Sequence, residues 1–195
     1  MDKTETLIFQ QAKVRFSRFG YKKTTMDDIS RDCRISKKTL YLYCKNKESL
    51  FARLLLHESR KAQTYISSRI ELFSDPADRL MNFMQLAVEI FNQDNFITRV
   101  LNDKEAINSS STIKKYHCLL EKALMSSIAK IIEQGKMTEK FRDVDSKMAA
   151  YTCCKMLQSF SHMQMSDYSK NCHGYPADVL IDYTLHGIIG RFATK

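Results

Sequence analysis

Lysine and hydroxyl side chains cluster between residues 36 and 47, and their chemistry suits a polyanion. Lys37 and Lys38 follow Ser36, and Lys47 follows Asn46; serine and asparagine are both typical of the residue that begins a helix. A helix N-terminus carries partial positive charge, so lysines there are unfavourable unless an anion such as phosphate is bound. Each lysine alone also fits a solvated surface charge, but the set and its spacing favour DNA.

Two short helical patterns must position these side chains. We expect Thr25 to cap the first helix with Asp28 as its capping-box partner. Residues 34–35 form a tight turn, and Ser36 begins a second helix of about two turns, in which Leu40 points inward. Two helices joined by so short a turn predict a helix-turn-helix.

A longer pattern runs in unbroken register through the first quarter of the chain: Ile8, Ala12, Phe16, Gly20, Tyr21, Thr24, Thr25, Met26, Ile29, Ser30, Ile35, Ser36, Lys37, Thr39, Leu40, Tyr41, Tyr43, Asn46, Lys47, Glu48 and Leu50. This pattern resembles the N-terminal domain of the tetracycline-repressor (TetR-like) transcriptional regulators. The resemblance implies an all-α homodimer, with a three-helix DNA-binding domain followed by a larger helical effector-binding and dimerisation domain. It also implies a repressor that a small effector releases from a palindromic operator.

The resemblance further implies which side chains contact double-stranded DNA. The expected phosphate contacts are Thr25, Tyr41, Tyr43 and Lys47. The side chains expected to approach base edges are Lys37, Lys38 and Thr39, and the exposed hydroxyl of Ser36 joins the set through its place at the helix start. Arg34 and Lys38 depart from the usual glycines, and Cys44 departs from the usual phenylalanine. We therefore expect backbone strain at Arg34 and looser packing around Cys44.

Charge and composition agree with this interpretation. The net charge is +9, and residues 1–50 hold twelve Lys and Arg against six Asp and Glu, whereas residues 51–195 hold nineteen against sixteen. No apolar run is long enough to span a membrane, and no secretory signal is present, so we expect a cytoplasmic protein without membrane contact. The six cysteines show no C-x-x-C pairing and are expected to be free thiols.

Helical periodicity and caps divide the chain into three parts. Residues 1–48 are the predicted DNA-binding domain, 49–72 a long connecting helix, and 73–195 the effector-binding and dimerisation domain. The first helix is expected over residues 4–19, with Phe19 in its apolar stripe and Gly20 at its end. Asp75 and Asp145 are expected to cap later helices, and Gly135 to close the helix over residues 112–134.

The larger domain is expected to bind a small apolar or amphipathic effector, in a pocket lined by Phe83, Phe91, Phe96, Tyr116, Met125, Met156 and Phe160. Each of these residues alone also fits an ordinary core. The last two helices, patterned by Met148, Tyr151, Thr152, Met156 and Phe160 in the first of them, are expected to pair with their copies in a four-helix bundle. The expected dimer contacts are Met156, Phe160, Val179, Tyr183, Gly187 and Gly190; packing within one protomer is the alternative.

Two other classes of function compete with a sequence-specific regulator. A non-specific DNA-coating or architectural protein would share the basic N-terminal domain but discriminate little between sequences. An enzyme is not supported, because no catalytic triad, paired carboxylates or phosphate loop is found, and no cofactor or metal is expected. A minor alternative is redox or metal sensing by Cys153, Cys154, Cys172 and His173, although their spacing matches no known metal site.

Overall fold

The computed structural model describes residues 2–92, 96–102, 108, 110–165 and 177–189. Regular secondary structure in these ranges is entirely helical, which confirms the all-α prediction. None of the helices in these ranges combines the length and the continuous apolar character that a membrane span requires. The helices described are α1 Lys3–Lys23, α2 Met26–Asp32, α3 Lys37–Tyr43, α4 Lys47–Ile70, α5 Pro76–Asn92, α6 Phe96–Asn102, α7 Ser111–Met137, α8 Ser146–Met165 and α9 Ala177–Ile189.

The helices pack into two compact units. The first comprises Met1–Lys61 and Asp94–Leu120, and the second comprises Ala62–Gln93 and Glu121–Lys195. Helices α4 and α7 contribute residues to both units, whereas α6 belongs to the first. The division predicted at residues 48 and 72 concerns functional domains and remains a prediction.

Side-chain caps define where the N-terminal helices begin. The Thr25 hydroxyl accepts a hydrogen bond from the Asp28 backbone N–H at 3.1 Å, and the Asp28 carboxylate accepts one from the Thr25 N–H at 3.2 Å. The Ser36 hydroxyl accepts from the Thr39 N–H at 3.0 Å, and Asn46 caps α4 in the same way. These caps confirm the predicted helix starts, and each stabilises its helix by about 1 kcal/mol.

Helix α1 is interrupted at Gly20, where the backbone takes φ 76° and ψ 171° before a last turn ends at Lys23. A Cβ at Gly20 would meet nothing within 4 Å, so the positive φ is what requires glycine. The expectation for Phe19 was wrong, because its ring is 41% exposed instead of part of the buried stripe. The guanidinium groups of Arg15 and Arg18 lie over that ring instead, at 5.1 and 5.2 Å from its centroid.

Aromatic rings organise the core of the first unit around Phe51 of α4. The Phe51 ring meets those of Phe16 and Tyr21 edge to face, each with centroids 4.9 Å apart. Phe96 of α6 packs against the same ring at 5.6 Å. Such pairs contribute about 0.5–1.5 kcal/mol beyond their buried area, so they fasten α1 and α6 to the start of α4.

In the second unit, α5 packs against α8 and α9, and α8 also packs against α9. Asp75 and Asp145 cap α5 and α8 as expected, through bonds from the N–H groups of Ala77 and Met148 at 2.7 and 2.8 Å. The buried apolar residues of this unit include Leu80, Phe83, Met84, Ala87, Val88, Ile128, Ile131, Ile132, Ala150, Leu157, Ile181 and Ile188.

Gly135 does not close α7, which continues to Met137. Gly135 is buried instead, and a Cβ added there would overlap the ring of Phe141. The chain turns back immediately after the helix, and the N–H groups of Lys140 and Phe141 bind the Gly135 carbonyl at 2.9 and 3.1 Å. Gly135 therefore allows Phe141 to approach the helix closely and does not mark the helix end.

The buried face of α8 is not the one marked by its helical pattern of large apolar residues. Ala150, Cys153, Cys154 and Leu157 are buried, whereas Met148 and Tyr151 are 63% and 46% exposed. Apolar residues occupy both sides of this helix, so periodicity alone could not identify the side that faces the core.

Candidate nucleic-acid interface

The turn between α2 and α3 sets the direction in which α3 leaves the core. The Arg34 backbone has φ 55°, as expected for a position that favours glycine, and its N–H bonds to the Arg31 carbonyl at 3.0 Å. The Ile35 N–H reaches back to the Ser30 carbonyl at 3.1 Å. These bonds hold a tight turn in which a non-glycine residue carries about 1–2 kcal/mol of strain.

Helix α3 presents one residue to the core and most of its others to solvent. Leu40 is fully buried, whereas Lys37, Lys38, Tyr41 and Leu42 are exposed. Thr39 and Tyr43 are half-buried. The polar part of the exposed surface of α3 is therefore cationic and phenolic, which suits phosphate oxygens and base edges.

Most of the predicted DNA-contacting side chains have a partner within the protein. Lys37 forms an ion pair with Asp27 at 2.5 Å, and the Tyr43 hydroxyl donates to Asp2 at 3.1 Å. The Thr25 hydroxyl lies 2.6 Å from the Asp28 carboxylate. The Ser36 and Thr39 hydroxyls lie 2.8 Å apart.

Lys38 and Tyr41 differ from the rest of this set. Within the described part of the chain, neither side chain has a hydrogen-bond or ion-pair partner. They are therefore the two polar side chains of α3 that are available to a ligand without breaking an internal bond.

Lys47 lies at the start of α4, but its ammonium points back to the end of α1. It donates to the carbonyls of Tyr21, Lys22 and Thr24 at 2.9, 3.4 and 3.0 Å, and it lies 4.4 Å from the centroid of the Tyr21 ring. Burial lowers the pKa of Lys47 from its ordinary value. All three N–H donors of the Lys47 ammonium are engaged by these carbonyls. The contact of Lys47 with a DNA phosphate therefore remains a prediction.

Cys44 is buried, and it is covered by the side chain of Arg53. The Arg53 guanidinium donates to the Tyr43 carbonyl at 2.6 Å and lies 3.4 Å from the Cys44 sulfur, and it also pairs with Glu5 of α1. The expected looseness at this small residue is therefore offset by a guanidinium that ties the end of α3 to α1 and α4.

Hydrogen bonding also shifts the ionisation of the carboxylates beside the interface. The Thr25 hydroxyl and backbone N–H lower the pKa of Asp28. The Arg15 guanidinium, which binds both oxygens of Asp32, lowers the pKa of that carboxyl. Both carboxylates therefore stay ionised at neutral pH. Asp32 ties the end of α2 to α1 through Arg15, and Asp28 closes the first turn of α2 through Thr25.

The N-terminal segment matches a known family of regulators. The sequence profile described as bacterial regulatory proteins, tetR family, matches residues 8–54. The match contains α2, the turn and α3, and it ends within α4. Residues 8–54 therefore match the DNA-binding segment of the tetR family. The match agrees with the resemblance to TetR-like transcriptional regulators that the sequence indicated.

Relatives of known sequence or structure extend the similarity beyond the helix-turn-helix. The HTH-type transcriptional regulator YhgD of Bacillus subtilis (strain 168) is 26% identical over 154 residues, which are 77% of this chain and 78% of YhgD. FadR from Bacillus subtilis, solved in complex with stearoyl-CoA, has a TM-score of 0.77 at 14% identity and covers 95% of this chain and 97% of its own. AibR, solved with isovaleryl coenzyme A and operator DNA, has a TM-score of 0.70 at 17% identity and covers 97% and 100%. At these identities the two structures show a shared fold.

The residues predicted to line an effector pocket fall into different units. Phe96 and Tyr116 belong to the first unit, and Phe83, Met125 and Met156 belong to the second. Phe96 lines a cleft of about 270 Å³ in the first unit, together with Phe16, Tyr21, Phe51 and Arg99. The side chains of Phe91 and Phe160 lie outside the described residues, so the pocket stays a prediction.

The predicted dimer residues include several that are exposed in one protomer. Val179 and Tyr183 of α9 are 60% and 77% exposed, and a Cβ at Gly187 would face open space. Met156 is half-buried, and its sulfur lies 3.7 Å from the Thr184 hydroxyl on α9. The Phe160 side chain and Gly190 lie outside the described residues.

The thiols of α8 are poorly suited to redox or metal chemistry. Cys153 and Cys154 are both buried, and burial raises the pKa of each to about 11. A thiol with that pKa is almost wholly protonated at neutral pH and a poor nucleophile or ligand. Cys172 and His173, the other residues of the sensing alternative, lie outside the described residues.

Proposed function

We propose that this chain is a dimeric repressor whose α3 helices bind the two halves of a palindromic operator in successive major grooves. The observation that carries the proposal is the surface of α3, where Lys38 and Tyr41 are exposed and unpartnered while the buried Leu40 holds the helix in place. The basic excess of residues 1–50 supports the same role, because it raises attraction to the phosphate backbone.

The internal partners suggest a division of labour among the DNA-contacting residues. Lys38 contacts a base edge and Tyr41 a phosphate, since both are available. Lys37, Thr39 and Tyr43 exchange a protein partner for DNA, and they therefore contribute less net affinity. Thr25 and Ser36 act mainly as caps whose N–H groups and hydroxyls lie near the backbone of the duplex.

We infer that dimerisation uses the exposed faces of α8 and α9. These faces carry Met148, Tyr151, Val179 and Tyr183, each at least 46% exposed in one protomer. A large exposed apolar surface typically marks a protein interface. Pairing of α8 and α9 with their copies would bury it in a four-helix bundle, with Gly187 allowing close helix approach.

The proposed effector is a small apolar or amphipathic molecule, and we place acyl-CoA thioesters first among the candidates. The support is the fold shared with FadR and AibR, which were solved with stearoyl-CoA and isovaleryl coenzyme A. The second unit is also rich in methionine, a residue that adapts to apolar ligands. An effector lowers operator affinity only to the extent that it binds the DNA-free conformation more tightly than the DNA-bound one. A hundredfold loss of operator affinity therefore requires about 2.7 kcal/mol of coupling free energy.

The test begins with selection of genome fragments by the purified protein, followed by footprinting and fluorescence anisotropy at fixed salt. A regulator should protect one palindrome and prefer it to random DNA by about a thousandfold or more. Broad enrichment without a shared sequence would favour the DNA-coating alternative. Lys38→Ala should cost about 1–3 kcal/mol mainly at one base position.

Effector binding and dimerisation need separate measurements on the same operator. Isovaleryl-CoA and stearoyl-CoA should lower operator affinity, whereas free coenzyme A should not; equal affinity with and without both thioesters would reject this effector class. Sedimentation should show a dimer that Tyr183→Glu converts to a folded monomer, because the new charge would be buried in the bundle.

A further inference from the structure

Leu42 is the most exposed large apolar side chain that the structure describes in the first unit. Its side chain is 79% exposed, compared with 48% for Tyr41 and 0% for Leu40. Leu42 adds little to the core, since α3 is held through Leu40 instead. The sequence pattern did not assign it a role, because a leucine in a short amphipathic helix is ordinarily a core residue.

The position of Leu42 on α3 associates it with Lys38. Each residue turns a helix by about 100°, so Lys38 and Leu42, four residues apart, lie on one strip opposite Leu40. Along the axis they are separated by about 6 Å, which is close to the rise of two base pairs. A helix that presents Lys38 to one base edge therefore presents Leu42 to a base pair one or two steps away.

We propose that Leu42 is a specificity-determining residue that packs against the C5-methyl group of a thymine in the major groove. This inference rests on the proposed function, and it adds to it the identity of one base in the operator. The thymine methyl is the apolar feature that a base pair presents in that groove, and leucine can contact it without leaving a polar group unpaired.

Charge complementarity favours DNA as the occupant of this surface. Leu42 shares its exposed strip of α3 with Lys38, and Lys37 is exposed on the same helix, within a segment of strong basic excess. A second copy of the chain or a neutral protein surface would have to desolvate these lysines beside Leu42. DNA neutralises them while its groove buries the leucine.

The test uses the operator found by fragment selection. Each thymine is replaced by deoxyuridine, which removes the C5-methyl and keeps the base pair. Kd is measured by anisotropy at fixed salt for the wild-type protein, Leu42→Ala and Leu72→Ala. Leu72 is a matched control, because it is also a leucine, is 77% exposed and lies outside the helix-turn-helix. Alanine favours helix formation, so Leu42→Ala should fold normally.

We expect one thymine in each half-site at which deoxyuridine weakens wild-type binding by about fourfold, or about sixteenfold when both half-sites are changed. Leu42→Ala should lose this dependence at that position alone, and Leu72→Ala should keep it. Equal losses for wild-type and Leu42→Ala at every thymine would overturn the proposal. So would unchanged affinity of Leu42→Ala combined with altered self-association. A selection that enriches no sequence would instead reject the proposed function itself.

Discussion

Replacement of Lys47 should reveal whether this residue stabilises the protein as well as its complex with DNA. Its ammonium donates to three carbonyls at the end of α1, two of them at 2.9 and 3.0 Å and the third at 3.4 Å. We therefore expect Lys47→Met, which keeps the apolar part of the side chain, to lower the free energy of unfolding as well as the affinity for DNA.

The expected magnitude follows from the geometry of these bonds. Two well-formed hydrogen bonds from a charged donor contribute about 1.5 kcal/mol each, and the 3.4 Å bond adds little. The Tyr21 ring, 4.4 Å from the ammonium, contributes about 0.5–1 kcal/mol. Burial of the ammonium, which lowers the pKa of Lys47, opposes these gains. A net loss of about 2–3 kcal/mol is therefore expected.

Urea unfolding followed by circular dichroism measures this loss, with Lys45→Met as the matched control. Lys45 is exposed and close in sequence, so its replacement should change stability by less than about 0.5 kcal/mol. Operator affinity measured on the same samples separates the two effects. If Lys47→Met weakened DNA binding while its unfolding midpoint matched that of Lys45→Met, the observed carbonyl contacts would have no stabilising role and our reasoning would be wrong.

Three further predictions concern other parts of the chain. Gly135→Ala should destabilise the protein by about 2 kcal/mol, because its Cβ would overlap Phe141, and in a Phe141→Ala background the cost measured by urea unfolding should nearly vanish. The bonds from Thr25 that lower the pKa of Asp28 stabilise the folded state fully above pH 3.8, the ordinary pKa of this carboxyl, and this stabilisation is lost as pH falls through the lower pKa of the folded state. The unfolding midpoint of Asp28→Asn should therefore depend less on pH in that acidic range than that of the wild type. Cys153 and Cys154 should resist iodoacetamide at neutral pH in the folded protein and react in urea, as peptide mass mapping would show; rapid reaction of either while folded would restore the sensing hypothesis.

Local chemistry explains why so much of the N-terminal domain could be predicted from sequence. The caps at Thr25 and Ser36, the turn at Arg34 and the inward position of Leu40 depend on residues within about four positions of one another. Such interactions are specified by residue type and spacing alone. The family pattern rests on the same short segment, so the sequence also identified the class of protein.

Contacts between distant residues were decided only by the tertiary structure. Lys47 binds carbonyls more than twenty positions earlier, and Arg53 joins Cys44 to Glu5. No local spacing indicates such partners, because a lysine near a helix start can face either solvent or the preceding helix. Gly135 likewise resembles a helix end until the returning chain places Phe141 against it.

The choice of buried face on α8 shows the same limit most clearly. Apolar residues lie on both sides of this helix, so periodicity alone permits either side to face the core. Packing against α5 and α9 buries Cys153 and Leu157 and leaves Met148 and Tyr151 exposed. The sequence by itself determined where the N-terminal helices begin and which family their pattern resembles. The tertiary structure alone decided which surfaces remain for partners, because burial depends on neighbours that are remote along the chain.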